Sequence, residues 1–492
     1  MIIKLALRSL AIRPVRTVVL ACGFGLGIAV MAALLGVGDV ILEQARSPEL
    51  QGGGDMVVSS PFGEIDDGRF VLSALRSLRQ DSGRPWSVAA SPSRRAGLYV
   101  IGPEGAVPVV AHGSVPSLER AVGSREAAGI TAWVDSPGDA RWATLDAGDL
   151  LRSMDRFHEP PDVPEFTASW AEWLYFNGRT ADGRVRFYLT FMVGPELQSR
   201  PGFRAASVRL QLDRDGQTTN YSTLDEVDGR RILDTAPDLD IGASRVRLER
   251  RRYRIDLRLK AENDGSELTG TLTLDPDAGR SLPPAVVRGA RGWLSGYVVP
   301  VLSGQLTGSL QTSGTPSTSR TPSTVSTPRT IVIAGDGYHD HNWGFWRDVR
   351  WQWGQVAAGG QSFIYGRVFP PPEVADPDRI PGFLGVLDQH GLVGVATNVQ
   401  IAEHGSDRTP VPAGAPQAIT VSARSSTVDL TMTFSTDRVV RTALAMTGDA
   451  TDFIQMGGTY RVEGRAGGRS IDVTARGAAE TFRPRKEWSQ AR

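Results

Sequence analysis

From Trp170 onward, a period of two restricts the fold more than any other feature of the chain. Val185, Phe187, Leu189 and Phe191 alternate with Arg186, Tyr188 and Thr190, the pattern of a strand with one buried face. Trp173-Leu174-Tyr175-Phe176-Asn177-Gly178 precedes it as a partner strand, and Ala181-Asp182-Gly183 supplies the turn. Further short strand candidates follow about every ten residues, at 207–212, 246–248, 253–259 and 268–274. Texture of the same kind resumes at Ile331, with candidates at 383–387, 392–396, 418–421, 428–434 and 470–473. Such spacing belongs to antiparallel sandwiches and barrels, and a small closed barrel leaves an interior that holds one ligand. The expected fold is therefore mainly β, as two consecutive antiparallel barrels at 165–345 and 346–492. Residues 312–330 are almost entirely Ser, Thr, Pro, Gly and Arg. That composition buries no apolar surface, so an exposed, mobile loop is expected there.

The N-terminus has a different texture. Lys4, Arg8, Arg13 and Arg16 precede a run without charges from Thr17 to Gly38. At about 1.5 Å per residue it is long enough to cross a hydrocarbon core of about 30 Å. The expectation is an uncleaved anchor within residues 1–44 that meets the membrane through 17–38. The basic flank keeps the N-terminus cytoplasmic and places the rest outside the cell membrane, as a single-pass protein. Cys22 is the one cysteine and lies in this run, so the remainder forms no internal disulfide. Lys and Arg balance Asp and Glu at 54 each, which gives no footing for a nucleic-acid partner. Residues 45–164 read as a small mixed α/β region. It holds a helix near Phe70–Leu78, a hairpin of 98–101 with 107–110, a helix from Pro116, and another carrying Leu150, Leu151 and Met154. Pro160 and Pro161 end the last of these. His158, just before them, reads as a surface or packing residue.

The opening Leu5-Ala6-Leu7-Arg8-Ser9-Leu10, then Pro14-Val15-Arg16-Thr17 and the Gly-rich span, resembles the first membrane helix of FtsX-like ABC-transporter permeases. Those permeases carry further membrane helices near the C-terminus, whereas this chain has no second run without charges. The resemblance thus implies an accessory component beside an ABC-type export system.

Chemistry is concentrated at Gly337-Tyr338-His339-Asp340-His341-Asn342-Trp343-Gly344, with Trp346, Trp351 and Trp353 close behind. In extended conformation His339, His341 and Trp343 share one face, and Tyr338, Asp340 and Asn342 the other. Four readings stand. The two histidines can give imidazoles to a metal, with His390 as a third ligand if the fold brings it near. A His or Asp in a tryptophan-walled cavity has the shifted pKa that suits proton transfer. The aromatics can wall a pocket for a long apolar molecule that the polar cluster orients. Or the cluster is a hydrogen-bonded plug between the sheet units.

This string, with Glu172-Trp173-Leu174-Tyr175-Phe176-Asn177-Gly178 and Trp293-Leu294-Ser295-Gly296-Tyr297-Val298-Val299-Pro300, resembles the carotenoid hydratase and AttH-like superfamily of tandem lipocalin-like proteins. The resemblance covers about residues 165–480 by the extent of strand texture. It implies two lipocalin-like halves, a hydrophobic ligand of isoprenoid or carotenoid type, and no cofactor or metal. It further implies a catalytic set of His339, Asp340, His341, Trp343 and Tyr365. There Asp340 or a protonated histidine is the acid, His341 activates water and Trp343 shelters a cation. Glu172, Trp173, Tyr175, Asn177, Tyr338, Asn342, Trp346, Trp351, Trp353 and Arg367 form the implied ligand-binding set. Arg367 stands where the hydratases carry an aspartate. The leading expectation is a membrane-anchored extracytoplasmic protein that binds or processes a hydrophobic ligand. The alternatives are a hydratase adding water to an isolated double bond, or the transporter accessory.

Overall fold

The computed structural model describes residues 15, 31, 56–58, 65, 68–77, 88–102, 105–144, 146–313, 329–405, 415–446 and 449–484. The expected membrane run lies outside these residues except for Met31, and the Ser/Thr/Pro segment does so except at its ends. Among the described residues no helix is long and apolar enough to cross a membrane. The chain divides into two compact units, 1–65 with 83–144, and 66–82 with 145–492.

Helix α1 (Gly68–Ser77) belongs to the larger unit. The smaller unit holds the expected hairpin, β1 (Ser93–Gly102) paired with β2 (Gly105–Ser114) so that Leu98 faces Val109. Short helices α2 (Pro116–Ala121), α3 (Arg125–Ala128) and α4 (Ala140–Ala143) follow. In the larger unit α5 (Ala147–Met154) starts at an Asp146 cap, whose carboxylate accepts from the amides of Gly148 and Asp149. Its Leu151 and Met154 are buried.

The first sheet then begins with β3 (Trp170–Thr180), β4 (Val185–Leu197), β5 (Arg200–Arg214) and β6 (Gln217–Asp228). Helix α6 (Gly229–Thr235) leads to β7 (Leu239–Ile241), β8 (Ser244–Glu249), β9 (Arg252–Ala261), β10 (Glu267–Pro276), β11 (Leu282–Arg288), β12 (Leu294–Thr312) and β13 (Arg329–Phe345). The order β10-β12-β13-β3-β4-β5-β6-β9 returns to β10, which pairs with β9, so eight strands close a barrel. Its interior is filled rather than hollow: Phe176, Phe187, Leu189, Phe191, Leu210, Leu257, Leu272 and Leu306 belong to one buried cluster. The alternation in β4 produces this, because Val185, Phe187, Leu189, Phe191 and Val193 all point inward.

The second sheet comprises β14 (Arg350–Ala358), β15 (Gln361–Phe369), β16 (Phe383–Asp388), β17 (Gly391–Ala396), β18 (Asn398–His404), β19 (Ala418–Arg424), β20 (Val428–Met446), β21 (Asp449–Ala466) and β22 (Arg469–Pro484). Its order is β17-β16-β15-β14-β22-β21-β20-β19-β18. The sheet curls until a Cβ placed on Gly394 of β17 would lie 2.8 Å from Val428 of β20. The edges β17 and β18 do not pair, so this barrel is nearly closed. The fold is mainly β, with two barrel-like sheets and few helices.

Strand β13 completes the first barrel although it follows the low-complexity segment. It pairs with β12 on one side and β3 on the other. Gly296 of β12 faces Trp343 of β13, and a Cβ on Gly296 would fall 2.1 Å from the indole Cε2. Gly296→Ala is therefore expected to cost about 1–3 kcal/mol by overpacking. Urea denaturation checks this, and an unchanged midpoint would mean the indole is not seated on that glycine.

Candidate functional site

The register of β13 separates its side chains into two compartments. His339 and His341 have no exposed surface and point into the end of the first barrel. Asp155 follows α5 and continues it through an amide bond to the Leu151 carbonyl. Its Oδ2 accepts from the Tyr253 hydroxyl and lies 3.0 Å from His339 Nε2. His339 Nδ1 is 3.0 Å from the Tyr175 carbonyl, and the ring stacks on Phe176 at 4.1 Å. Both ring nitrogens thus face oxygen atoms of the protein.

His341 repeats the arrangement one pleat along. Its Nε2 lies 2.9 Å from Glu172 Oε1, and its Nδ1 lies 3.2 Å from the Met154 carbonyl and 3.7 Å from Asp155 Oδ1. Glu172 is fully buried and also receives the His158 amide at 2.9 Å and His158 Nδ1 at 2.7 Å. Burial alone would raise this carboxyl. The charge and hydrogen bonds of His158 and the bond from His341 outweigh it and hold Glu172 below its ordinary value.

His158, expected to be a surface or packing residue, is instead a partner of Glu172, and its ring stacks on Trp343 at 4.2 Å. The first of the four readings, in which His339 and His341 serve one metal with His390 as a third ligand, does not fit the geometry. They face different carboxylates, and His390 sits on the exposed β16–β17 turn beside Gln389. The donor atoms that do cluster are those of His158, Glu172 and His341, all within 4.8 Å of one another. The two nitrogen–oxygen separations, 2.7 and 2.9 Å, are hydrogen-bond lengths. Four-coordinate zinc would set such edges at about 3.3 Å. The arrangement is that of a carboxylate bridging two imidazoles.

The other face of β13 looks toward the second barrel. Asp340, 5% exposed, accepts from the Tyr338 hydroxyl at 2.8 Å and from Asn342 Nδ2 at 2.7 Å. Tyr297 joins the Tyr338 hydroxyl at 2.8 Å, and Trp353 Nε1 donates to the Tyr297 hydroxyl at 2.8 Å. From β22, Glu480 accepts from the Tyr175 hydroxyl, while Gln455 of β21 donates to Tyr175 at 3.0 Å and to Glu480 at 3.2 Å. Burial pushes Asp340 well above the usual carboxylate range, and the neighbouring Glu480 adds to it against the bonds from Tyr338 and Asn342. Burial likewise raises Glu480 from its ordinary 4.5 to about 7, against the bonds from Tyr175 and Gln455. Tyr175, Tyr297 and Tyr338 are pushed up by burial, so they stay protonated donors.

Aromatic rings flank this network. Trp173 packs on Trp346 at 4.6 Å, and Trp351 stacks on Phe482 at 3.9 Å. Trp173, Trp351, Tyr297 and Phe383 are only partly buried. The junction thus gathers Trp173, Tyr175, Tyr338, Asp340, Asn342, Trp351 and Trp353, while Glu172, His339, His341 and Trp343 lie on the opposite face of the same strands. Trp346 donates its indole N–H to the Ala171 carbonyl. Tyr365 sits in the second barrel's core, 3.2 Å from the Tyr460 hydroxyl. Arg367 donates to the Pro377 carbonyl at 3.2 Å and lies over the Phe369 ring. Asn177 is buried with its Nδ2 unpartnered.

No protein-family model matches the sequence, and no curated protein matches it. Among solved structures, an AttH-assigned protein from Nitrosomonas europaea is 16% identical with a TM-score of 0.43, over 66% of this chain and 96% of that one. CghA, solved with Sch210972, is 11% identical with a TM-score of 0.41, over 67% of this chain and 94% of that one. At these scores the likeness adds nothing to what the strand pairings define.

Asp155, His158, Tyr253, Gln455 and Glu480 escape sequence reasoning because none stands in a motif, and Tyr297, though within the Trp293–Pro300 string, is given no role by it; each meets its partner only through the fold.

Two outcomes follow from the networks. A carboxyl with a raised folded pKa stabilises fully below its unfolded value and loses that contribution as pH rises through the folded one. For Glu480 the loss runs from about 4.5 through about 7 and is on the order of 3 kcal/mol. Thermal midpoints should fall across this window in the wild type and fall less in Glu480→Gln. A parallel decline in both would remove Glu480 from the account. Asp155→Ala strips His339 and Tyr253 of their shared acceptor and should cost about 3–5 kcal/mol in unfolding free energy by urea titration.

Proposed function

We propose that this protein binds a hydrophobic molecule at the aromatic-walled junction between its two barrels, where Asp340 presents a neutral carboxyl to it. One observation carries the reading. A carboxyl pushed well above its usual range, fixed by Tyr338 and Asn342, lies beside partly exposed tryptophan and tyrosine rings. Aromatic surface with a few converging polar groups is what a small-molecule site needs. The resemblance of the Gly337–Gly344 string to the carotenoid hydratases makes an acyclic isoprenoid the first molecule to try.

A second reading, that the bound molecule is hydrated, is favoured by the pair of carboxyls. Burial raises both Asp340 and Glu480 at the junction, Glu480 to about 7. A carboxyl raised toward the working pH can hold and release a proton there. Asp340 would give its proton to the alkene, Glu480 would take one from the incoming water, and the electron-rich rings would shelter the cation between the two steps.

The membrane anchor and the extracytoplasmic position are proposed on the sequence alone, as is a transporter partner. A reporter fused after Arg492 that works only in the cytoplasm would overturn the orientation.

The site is tested with an acyclic isoprenoid polyene. It should quench tryptophan fluorescence of the full-length protein, and the hydratase reading adds a product heavier by one water in mass spectrometry. Asp340→Asn should keep the quench and lower product formation by about 10²–10⁴-fold. Wild-type turnover in that variant would remove Asp340 as the acid. Absence of any quench would remove the binding reading.

A further inference from the structure

At another part of the junction, unpartnered donors converge on a cleft. It is lined by β3, β4 and β13 of the first barrel and by β14 and β22 of the second, and its lining includes Asn177, Arg179, Arg186, Tyr188 and Arg476. Asn177 is 8% exposed, and its Nδ2 has no hydrogen-bond partner. Arg186 Nη1 is likewise buried without one. The two residues belong to neighbouring strands, because Asn177 faces Tyr188 and Arg179 faces Arg186 across the β3–β4 ladder.

The cations around the cleft differ in how they are held. Arg179 pairs with Asp336 at 2.8 Å, and Arg476 pairs with Asp437. Arg186 hydrogen-bonds the Tyr188 side chain and, among the described residues, makes no ion pair within 4.0 Å. Asp213, its cross-strand neighbour on β5, pairs through Oδ2 with Arg438 at 2.9 Å, and its Oδ1 is buried without a hydrogen-bond partner and makes no ion pair with Arg186. The guanidinium lies against bare backbone, since a Cβ on Gly457 of β21 would fall 1.4 Å from Nη1. A glycine there leaves the space that the guanidinium occupies.

Buried donors without acceptors are unfavourable, and an amide donor with a guanidinium donor in one cleft suits an anionic oxygen group. A guanidinium offers parallel N–H bonds that fit carboxylate and phosphate oxygens, and the amide adds another donor. We propose that this cleft binds the carboxylate or phosphate end of a small molecule, held by Arg186 Nη1 and Asn177 Nδ2. Asn177 neighbours Tyr338 across the β3–β13 ladder, but the proposed donors are distinct from Asp340, so loss of anion binding in Arg186→Gln with isoprenoid quenching retained separates the two readings.

Isothermal titration calorimetry of the full-length protein with sodium octanoate, and separately with inorganic phosphate, tests it. At least one probe should bind saturably. Octanoate alone identifies a carboxylate on an apolar chain, and phosphate alone identifies a phosphate group. Arg186→Gln and Gly457→Ala should each weaken that binding by at least about tenfold, the size expected of a lost charge-assisted bond. Arg179→Gln, already paired with Asp336, should change it less than about threefold. If the first two variants do not fold, Asn177→Ala decides, with weakened binding supporting the site and wild-type affinity overturning it. Saturable heat from neither probe at about 10 mM, or unchanged affinity in a folded Arg186→Gln, also overturns the proposal.

Discussion

The Asp155 carboxylate joins three parts of the chain that have no local reason to meet. Tyr253 lies 98 residues away on β9 and His339 lies 184 residues away on β13, and both bond the same oxygen at the end of α5. Glu172 does similar work beside it, holding His341 and His158. Two carboxylates and the imidazoles of His158, His339 and His341 are hydrogen-bonded into one group. Burying any one of them alone would be costly, so each depends on the rest being in place. This group ties the segment from Met154 to His158 across the end of the first barrel. Phe157 stacks on His341 at 5.1 Å and joins the barrel core, so apolar packing and the polar group fix the same segment.

The consequences reach the junction through β13. A strand alternates its side chains, so a residue between two histidines must face away from them. Asp340 therefore leaves the histidine group and enters the space between the barrels, where Tyr338, Tyr297 and Trp353 form a hydrogen-bonded chain ending on the second sheet. Glu480, Tyr175 and Gln455 make a second link. Each barrel has its own apolar core. The barrels are joined at this face by an apolar cluster that includes Val299, Leu302, Ile364 and Leu387 and by these buried polar groups, whose directional bonds restrict the geometry.

Much of this is legible in the sequence, and the limit is physical. Period-two alternation locates the β3–β4 hairpin and the two faces of β13, because a strand's pattern is local. Alternation leaves open which strands pair; β3 and β13 are adjacent and in register in the fold, which brings Trp173 and Tyr175 beside Tyr338 and Asp340. Nor can alternation find Glu480, which meets Tyr175 from 305 residues away on a strand whose local sequence resembles any other. His158 escapes for another reason. Its neighbours Pro160 and Pro161 mark the end of a helix, and nothing in that context tells a solvated ring from one bonded to a buried carboxylate. Tyr365 shows the converse: a strand residue near the motif in sequence lies in another core once the sheets separate.

The separation of the faces also decides which rings a reactive cation can meet. Trp343 has His158 stacked on it at 4.2 Å and the Gly296 backbone at its edge, inside the first barrel's end. It cannot shelter charge generated at Asp340, because the β13 backbone lies between them. The rings on Asp340's side are Trp353, in edge contact with Tyr338 at 5.1 Å, and the partly exposed Trp173 and Trp351. One face of Trp351 is taken by Phe482, and Trp353 is committed through its N–H to Tyr297. Trp173 is partly exposed and is the direct β13 neighbour of Asn342, which bonds Asp340. Under the proposed hydration, Trp173, itself packed on Trp346 at 4.6 Å, and Trp351 are the partly exposed indoles on Asp340's side, and the Asp340–Asn342 bond sets how the carboxyl is presented.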